Sequence, residues 1–361
     1  MSNKKVLLGM SGGVDSSVSA VLLKQAGYEV IGATMVLWEG CNNQTVSDAK
    51  KVCDKLGIKH YTLNCEKEFK THVINNFITC YNNALTPNPC IECNKYLKFG
   101  VFIEKAKELG CDYIATGHYA KIEWSDKYNQ YVLTKSKVNK KDQSYFLYQI
   151  SQDVLPKILF PLEDFTDKTE IRKIAEENDL IVAQKKDSQE ICFIPDNNYI
   201  SFLQKNSNTN QNTGNIVLKN REILGKHKGL IHYTVGQRKG LEISYKEPLY
   251  VLKLDKEKNE LVVGTEKELY SSTLYANELN FLIKDIDLMG PIEVMAKVRY
   301  RSESAKAILK IEENANNEKI AKLEFKVPQR AITPGQSVVF YLEDIVLGGG
   351  KIILNSENKN G

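Results

Sequence analysis

A chain of 361 residues points to two or three domains, because single cores rarely keep growing beyond about 250–300 residues. Its 42% hydrophobic and 26% charged residues are ordinary for a folded soluble protein, and a net charge of +4 does not by itself establish nucleic-acid binding. No segment has the apolar length needed to cross a bilayer, and MSNKKVLLGMSGG lacks a signal peptide's long apolar region, so a cytoplasmic location with no membrane partner is expected.

VLLGM (6–10) reads as a short apolar strand, followed by a helix that Gly27 can stop. EVIGATMVLW (29–38) is the next strand. SDAKKVCDKLG (47–57) sets Ala49, Val52, Cys53 and Leu56 on one helical stripe, with Ser47 or Asp48 able to cap it. IKHYTLNC and CDYIATGHY read as further strands with helix-like stretches between them. This alternation predicts an α/β fold, with a mostly parallel N-terminal sheet covered by helices. Residues 166–178 form a helix capped by Asp167, with Glu170 three positions later.

QKNSNTNQNTG (204–214) breaks every pattern and marks a domain boundary or a long surface loop. Beyond it, PLYVLKLD, NELVVGT, IEVMAKVRYR, KAILKIEE, IAKLEFKV, QSVVFYL and GKIILN are short β-branched or alternating runs. They predict antiparallel sheet, closed at the C-terminus as a small barrel. The expected division is an α/β domain over 1–205, a small middle module over 206–274 and a C-terminal β-barrel-like domain over 275–361.

GMSGGVDSSVSA (9–20) sits where the first strand meets the first helix. Ser11-Gly12-Gly13-Val14-Asp15-Ser16 would present backbone N–H groups at a helix mouth, where the dipole favours phosphate. The glycines permit close approach, and Ser11 and Ser16 add hydroxyls. Asp15 is awkward as a direct phosphate ligand and better suited to orienting the turn or acting through magnesium. GxxxxGK[ST] and GxGxxG are absent from this strand end. On the pattern alone, a phosphate site and a tight structural turn both stay open.

Eight cysteines in a chain this long do not make a small disulfide scaffold; they point to core positions, redox chemistry or metal binding. In TPNPCIECN (86–94), Cys90 and Cys93 are three apart behind two stiffening prolines. They form a redox pair, a partial metal site, a nucleophile with an assistant, or a structural pair. Cys192, in SQEICFIPD (188–196), is a core residue or a catalytic thiol. Cys53 and Cys80 lie on apolar helix faces and belong to the core, while Cys41, Cys65 and Cys111 have no catalytic context. Tyr145, Phe146 and Tyr148 either stack on a base or pack inside. His118 is either a structural histidine or reaches phosphate or RNA. Basic stretches at 135–141 and 219–239 are solvated surface or phosphate contacts.

SGGVDSS resembles the PP-loop of ATP pyrophosphatases, which split ATP between its α and β phosphates while adenylating an oxygen. TPNPCIECNKYLKF (86–99), ATGHYA (115–120), KDQSYFLY (141–148), FPL (160–162), DSQEICFI (187–194), HKGLIHYTVGQRKGL (227–241), KVRYRS (297–302) and PQRAITPGQSVVFY (328–341) follow in order. With them the chain resembles bacterial tRNA-specific 2-thiouridylases nearly end to end. The resemblance implies a sulfurtransferase that adenylates the C2 oxygen of a wobble uridine, using ATP and magnesium, and then inserts sulfur.

By the same resemblance, Cys93 takes the catalytic role and Cys192 carries the persulfide, the two forming a transient disulfide. Gly9, Met10, Ser11, Gly12, Gly13, Val14, Asp15, Ser16, Met35 and Gly117 match ATP contacts. Asn88, Pro89 and Cys90 match the stretch that approaches the target base. His118, Lys141, Asp142, Gln143, Arg299, Tyr300 and Gln336 match tRNA contacts. The implied partners are glutamate, glutamine and lysine tRNAs, with a cysteine desulfurase or sulfur carrier as donor. Some members have aspartate where this chain has Cys90, which leaves a second route through an iron–sulfur cluster on Cys90, Cys93 and Cys192. The rival readings are another PP-loop enzyme with a different acceptor and a non-enzymatic tRNA-binding or iron–sulfur protein.

Overall fold

The structure, a computed structural model, describes residues 4–38, 43–137, 141–185, 191–194, 196–207, 212–284, 290–314 and 316–354. The N-terminal part alternates β1 (Lys5–Gly9), α1 (Val14–Gln25), β2 (Glu29–Val36), α2 (Asn43–Leu56) and β3 (Lys59–Asn64). Next, α3 (Glu66–Phe69) runs through a π-helical stretch, Lys70–Ile74, into α4 (Asn75–Asn82). The one-turn α5 (Pro89–Glu92) passes through a longer π-helical stretch, Cys93–Val101, into α6 (Phe102–Glu108). There follow β4 (Tyr113–Ala115), the hairpin β5 (Lys121–Ser125) and β6 (Gln130–Thr134), β7 (Ile158–Leu159), α7 (Lys168–Glu177) and α8 (Tyr199–Asn206).

The first sheet has the order β3-β2-β1-β4-β7, and every pair in it is parallel. Alternation along the strands splits its two faces. Leu7, Ile31, Ala33 and Ile114 pack with Phe99, Phe102 and Ile103. Val6, Leu8, Val30 and Ala115 pack with α1, α2 and α7 through Val18, Val21, Val52, Cys53 and Ile171. A parallel sheet covered on both faces needs such apolar strands. As expected, Asp167 caps α7, accepting from Thr169 N at 3.0 Å. The start of α2 differs: the helix opens at Asn43, so Ser47 and Asp48 lie inside it. The Asp48 carboxylate is taken by Lys185 at 2.8 Å instead of capping.

The middle module holds β8 (Gly214–Leu218), β9 (Ile223–His227), β10 (Tyr250–Asp255) and β11 (Glu260–Gly264) in the order β10-β11-β8-β9. Its β11–β8 pair is parallel, so the tail is not antiparallel throughout. Period-two alternation gives a strand its buried face but says nothing of its partner's direction.

The last part comprises β12 (Tyr270–Phe281), β13 (Ile292–Lys297), β14 (Ala305–Glu313), β15 (Lys319–Arg330), β16 (Ser337–Leu342) and β17 (Ile345–Ile353). These pair antiparallel, and β12 bonds both β15 and β17, which closes the barrel. The sheet also runs on from β17 into β6 and β5, so the hairpin from the N-terminal half joins the barrel. Tyr145 and Tyr148 are fully buried at this junction, their hydroxyls bonded to Ser337 at 2.8 and 3.0 Å. Base stacking is thereby excluded for both. Among the described residues no helix is long and apolar enough to cross a membrane.

Candidate active site

The loop after β1 is tied down by its own backbone and hydroxyls. Met10 N donates to Ala33 O at 2.8 Å, and Thr34 Oγ1 donates to Met10 O at 2.9 Å. Ser16 Oγ accepts from Ser11 N at 3.2 Å and donates to Gly13 O at 3.1 Å. Gly12, at φ +63°, passes so close to α2 that a Cβ would lie 2.6 Å from Thr45 O. Gly13 precedes α1 and offers no side-chain cap, so the first-turn N–H groups of Val14, Asp15 and Ser16 face outward from the helix mouth. Gly9 ends β1 opposite Ala33, and Gly117 packs on the backbone of Asp15 and Ser16.

Asp15 has both oxygens engaged: Tyr119 OH donates to one at 2.8 Å and Lys168 Nζ to the other at 3.2 Å. That geometry suits the orienting role. Lys185 Nζ donates to Gly12 O and to Asp48, both at 2.8 Å, and holds the Asp48 carboxyl below its usual range. Two ammonium groups therefore flank the loop. Neither lysine was singled out by the sequence, where each sits in an ordinary charged stretch.

Cys93 opens the π-helical stretch and is buried; burial pushes its thiol up to about 11, with the Lys98 ammonium opposing. Cys90 is exposed on α5, and desolvation pushes its thiol up, with Lys98 again opposing. Pro89 is the first residue of α5 and Asn88 precedes it in extended backbone. Cys192 is exposed, but the next two residues, Phe193 and Ile194, enter the apolar cluster that contains Cys93, Leu97, Phe69 and Phe77. Met35, near the end of β2, packs against this cluster and against the sheet core. The two cysteine segments and the loop-bearing sheet thus share one neighbourhood.

None of the described cysteines is bridged. The described residues contain no cluster of three His, Cys, Asp or Glu side chains able to hold a metal, so Cys90, Cys93 and Cys192 do not converge as cluster ligands in this structure. Cys53, Cys65 and Cys80 are core residues.

His118 is buried between the rings of Phe99 and Phe160. Lys98 Nζ lies 3.4 Å from its Nε2 and Thr116 Oγ1 2.7 Å from its Nδ1. With the ammonium donating to Nε2, the ring proton sits on Nδ1 and Thr116 Oγ1 accepts it. Burial, and then Lys98, hold His118 well below its ordinary value of 6.5. Below that value the unfolded chain binds a proton that the folded ring refuses. Stability is complete above it and falls as pH drops toward the depressed folded value, by up to about 1.4 kcal/mol per pH unit. Denaturant unfolding at about pH 7.5 and about pH 5.5 is expected to show a smaller acid loss in His118→Gln than in the parent; equal losses would contradict this.

The remaining positions matched to tRNA contacts are largely struts. Asp142 Oδ1 accepts from Ser136 N and Ser144 N, both at 3.1 Å, and Gln143 Oε1 from Tyr119 N at 3.0 Å. Lys141 Nζ lies 5.6 Å from the centre of the Tyr119 ring. Arg299 Nη2 donates to Val235 O at 3.1 Å, Ala331 O at 2.9 Å and Thr333 Oγ1, fastening the middle module to the barrel. Tyr300 leans on Phe146, ring centres 4.3 Å apart, and Gln336 donates to the backbone just ahead of Asn88.

Three family models cover nearly all of the chain. They are described as tRNA methyl transferase HUP domain over residues 4–196, tRNA methyl transferase PRC-barrel domain over 200–265 and aminomethyltransferase beta-barrel domain over 271–352. The tRNA-specific 2-thiouridylase MnmA of Acetivibrio thermocellus is 49% identical over 98% of this chain and 100% of its own length. Those of Clostridium beijerinckii and Clostridioides difficile are 49% and 46% identical, each over 97% of this chain and 98% of their own. The chain belongs to the MnmA family of tRNA-specific 2-thiouridylases. The model descriptions speak of methyl transfer, but near-full-length identity to the curated relatives decides for the thiouridylase family. MnmA membership was legible in the PP-loop and cysteine motifs; the flanking Lys98, Lys168 and Lys185 were not. Lys98 follows Cys93 by five positions, a spacing that an α-helix rotates away and a π-helical stretch brings back toward one face.

Proposed function

We propose that this protein is an ATP-dependent tRNA 2-thiouridylase acting on the wobble uridine. The observation that carries the reading is the apolar cluster joining the Cys93 helix to the residues immediately after Cys192, with Met35 linking it to the sheet that bears the phosphate loop. An amide-like oxygen leaves poorly. Attack of the uracil O2 on the α-phosphorus makes it an adenylate ester and releases pyrophosphate, which the N–H groups at the mouth of α1 would receive. Lys168 and Lys185 would trade their carboxylates for phosphate oxygens. Bound with ATP, magnesium offsets phosphate charge; Asp15 and Asp48 are the carboxylates beside the loop suited to its hydration shell.

In the sulfur step, the terminal sulfur of a Cys192 persulfide adds to C2 and AMP departs with the former O2. Cys93 thiolate then attacks the Cys192 sulfur, releasing the thiocarbonyl base and leaving a Cys93–Cys192 disulfide for an external dithiol to reduce. Asn88, Pro89 and Cys90 line the approach of the base. Gly9 through Ser16, Met35 and Gly117 surround the nucleotide. A cysteine desulfurase or sulfur carrier supplies the persulfide, and the acceptors are glutamate, glutamine and lysine tRNAs in the cytoplasm. The catalytic unit extends to about residue 205, with the middle and barrel modules holding the anticodon arm.

Purified protein, ATP–magnesium, unmodified tRNA and a persulfide donor should yield 2-thiouridine at the wobble position, read by mass analysis of digested RNA. ATP binding without thiolated product would defeat the proposal.

A further inference from the structure

The turn at 331–336, between β15 and β16, grips the chain just ahead of the cysteine pair. Thr86 N donates to Pro334 O at 3.0 Å, while Gln336 Nε2 donates to Thr86 O at 2.9 Å and Pro87 O at 3.2 Å. Gly335, at φ +89°, allows the approach: a Cβ there would lie 2.8 Å from Thr86 N and 2.9 Å from Leu85 Cβ. The turn is itself fixed to β17, because Gly335 N donates to Ile352 O at 2.9 Å and Ile352 N to Gln336 O at 2.8 Å. From the same strand, Lys351 Nζ reaches Glu92 at 3.7 Å and Glu278 at 2.8 Å. Lys351 and Glu92 retain only 17% and 14% side-chain exposure.

Glu92 stands between Cys90 and Cys93, and Thr86 and Pro87 immediately precede Asn88. The barrel therefore touches both ends of the short segment from Thr86 to Cys93. Thr86 to Asn88 lie ahead of the helix, Asn88 makes no side-chain cap, and α5 is the first turn of a helix that runs on through the π-helical stretch to Glu108. The N–H groups of a helix's first turn have no intrahelical partners and that end frays most easily, so contacts from outside help to fix where it lies.

We propose that the turn carrying Gly335 and Gln336, together with Lys351, positions the segment Asn88–Cys93, so that the barrel sets the rate of sulfur transfer as well as the grip on RNA. This rests on the thiouridylase reading above. Gln336 and Lys351 act through the backbone and through Glu92; they are positioning residues. A misplacement of about 1 Å at a reacting group costs on the order of 100-fold. A module that only gripped RNA would alter affinity and leave turnover at saturating RNA untouched.

The test compares Lys351→Met, Lys351→Arg, Gln336→Ala and Gly335→Ala with the parent. Direct tRNA binding, single-turnover thiolation at saturating tRNA and amide exchange across 85–93 are measured on the full chain. Lys351→Met and Gln336→Ala are expected to slow single-turnover thiolation about tenfold or more. Lys351→Met should leave tRNA affinity within about threefold, and Lys351→Arg should restore most of the rate. Exchange at 85–93 should quicken in the slow variants while the barrel strands stay protected. Should Gly335→Ala unfold the turn, Lys351→Met still decides. Weaker binding with an unchanged single-turnover rate, or unchanged exchange at 85–93, would overturn the inference. A parent protein that made no thiouridine would instead defeat the thiouridylase reading, while the exchange measurement would still report on the brace.

Discussion

Cys93→Ser is expected to lower thiolation by about 1,000-fold or more, with ATP and tRNA binding largely retained. The serine hydroxyl cannot attack the Cys192 sulfur, so the adduct joining C2 to Cys192 through two sulfurs should accumulate. A covalent RNA–protein species on a non-reducing gel, released by dithiol, would show it. Cys192→Ser should be equally inactive and form no such species, because it never carries the transferred sulfur. This asymmetry separates the roles better than loss of activity alone. Retained turnover in either variant would remove the role assigned to that residue. The parent thiol, held up to about 11 by burial, needs its surroundings to change before it attacks near neutrality. Base entry and the Lys98 ammonium are the agents at hand.

Gly12→Ala is expected to abolish ATP-dependent pyrophosphate release. The new Cβ would sit 2.6 Å from Thr45 O, and φ +63° is strained for any other residue. The loop must move off α2, and the first-turn N–H groups of α1 move with it. Backbone strain of this kind costs about 1–3 kcal/mol, which a melting curve can read. Gly57 has nearly the same φ, +64°, but nothing within 4 Å of a Cβ. Gly57→Ala should therefore lose a little stability, about 1–2 kcal/mol, with pyrophosphate release intact. Similar loss of release in both variants would mean that strain, not the loop's seat on α2, is responsible.

The parallel sheet was legible because β1 and β2 are apolar runs with glycine-rich or polar breaks between them and their helices. The barrel was legible because its strands alternate. What alternation cannot reveal is the neighbour: the parallel β8–β11 pair and the join of β6 to β17 depend on contacts between distant segments. At the site, glycine and cysteine motifs announced themselves through unusual residues at short spacing. Lys168 and Lys185 gave no such signal, since their meaning lies in reaching Asp15 and Asp48 across the fold. Asp142 and Gln143, expected on the RNA side, spend their side chains on backbone amides. His118 is likewise enclosed by aromatic rings that no local pattern indicates.

The hairpin at 121–134 has a consequence for biosynthesis. Its outer partner is made last: Lys135 N donates to Asp344 O at 2.9 Å, and Lys135 Nζ reaches Glu343 O, 208 positions further along. On the ribosome this hairpin waits with one edge unpaired while most of the polypeptide is still unmade, a state open to mispairing. A premature stop near the end of the message would thus injure more than the RNA grip. It would strip the β5–β6 hairpin of the strand that pairs its open edge, leaving an aggregation-prone fragment in place of a detached working enzyme.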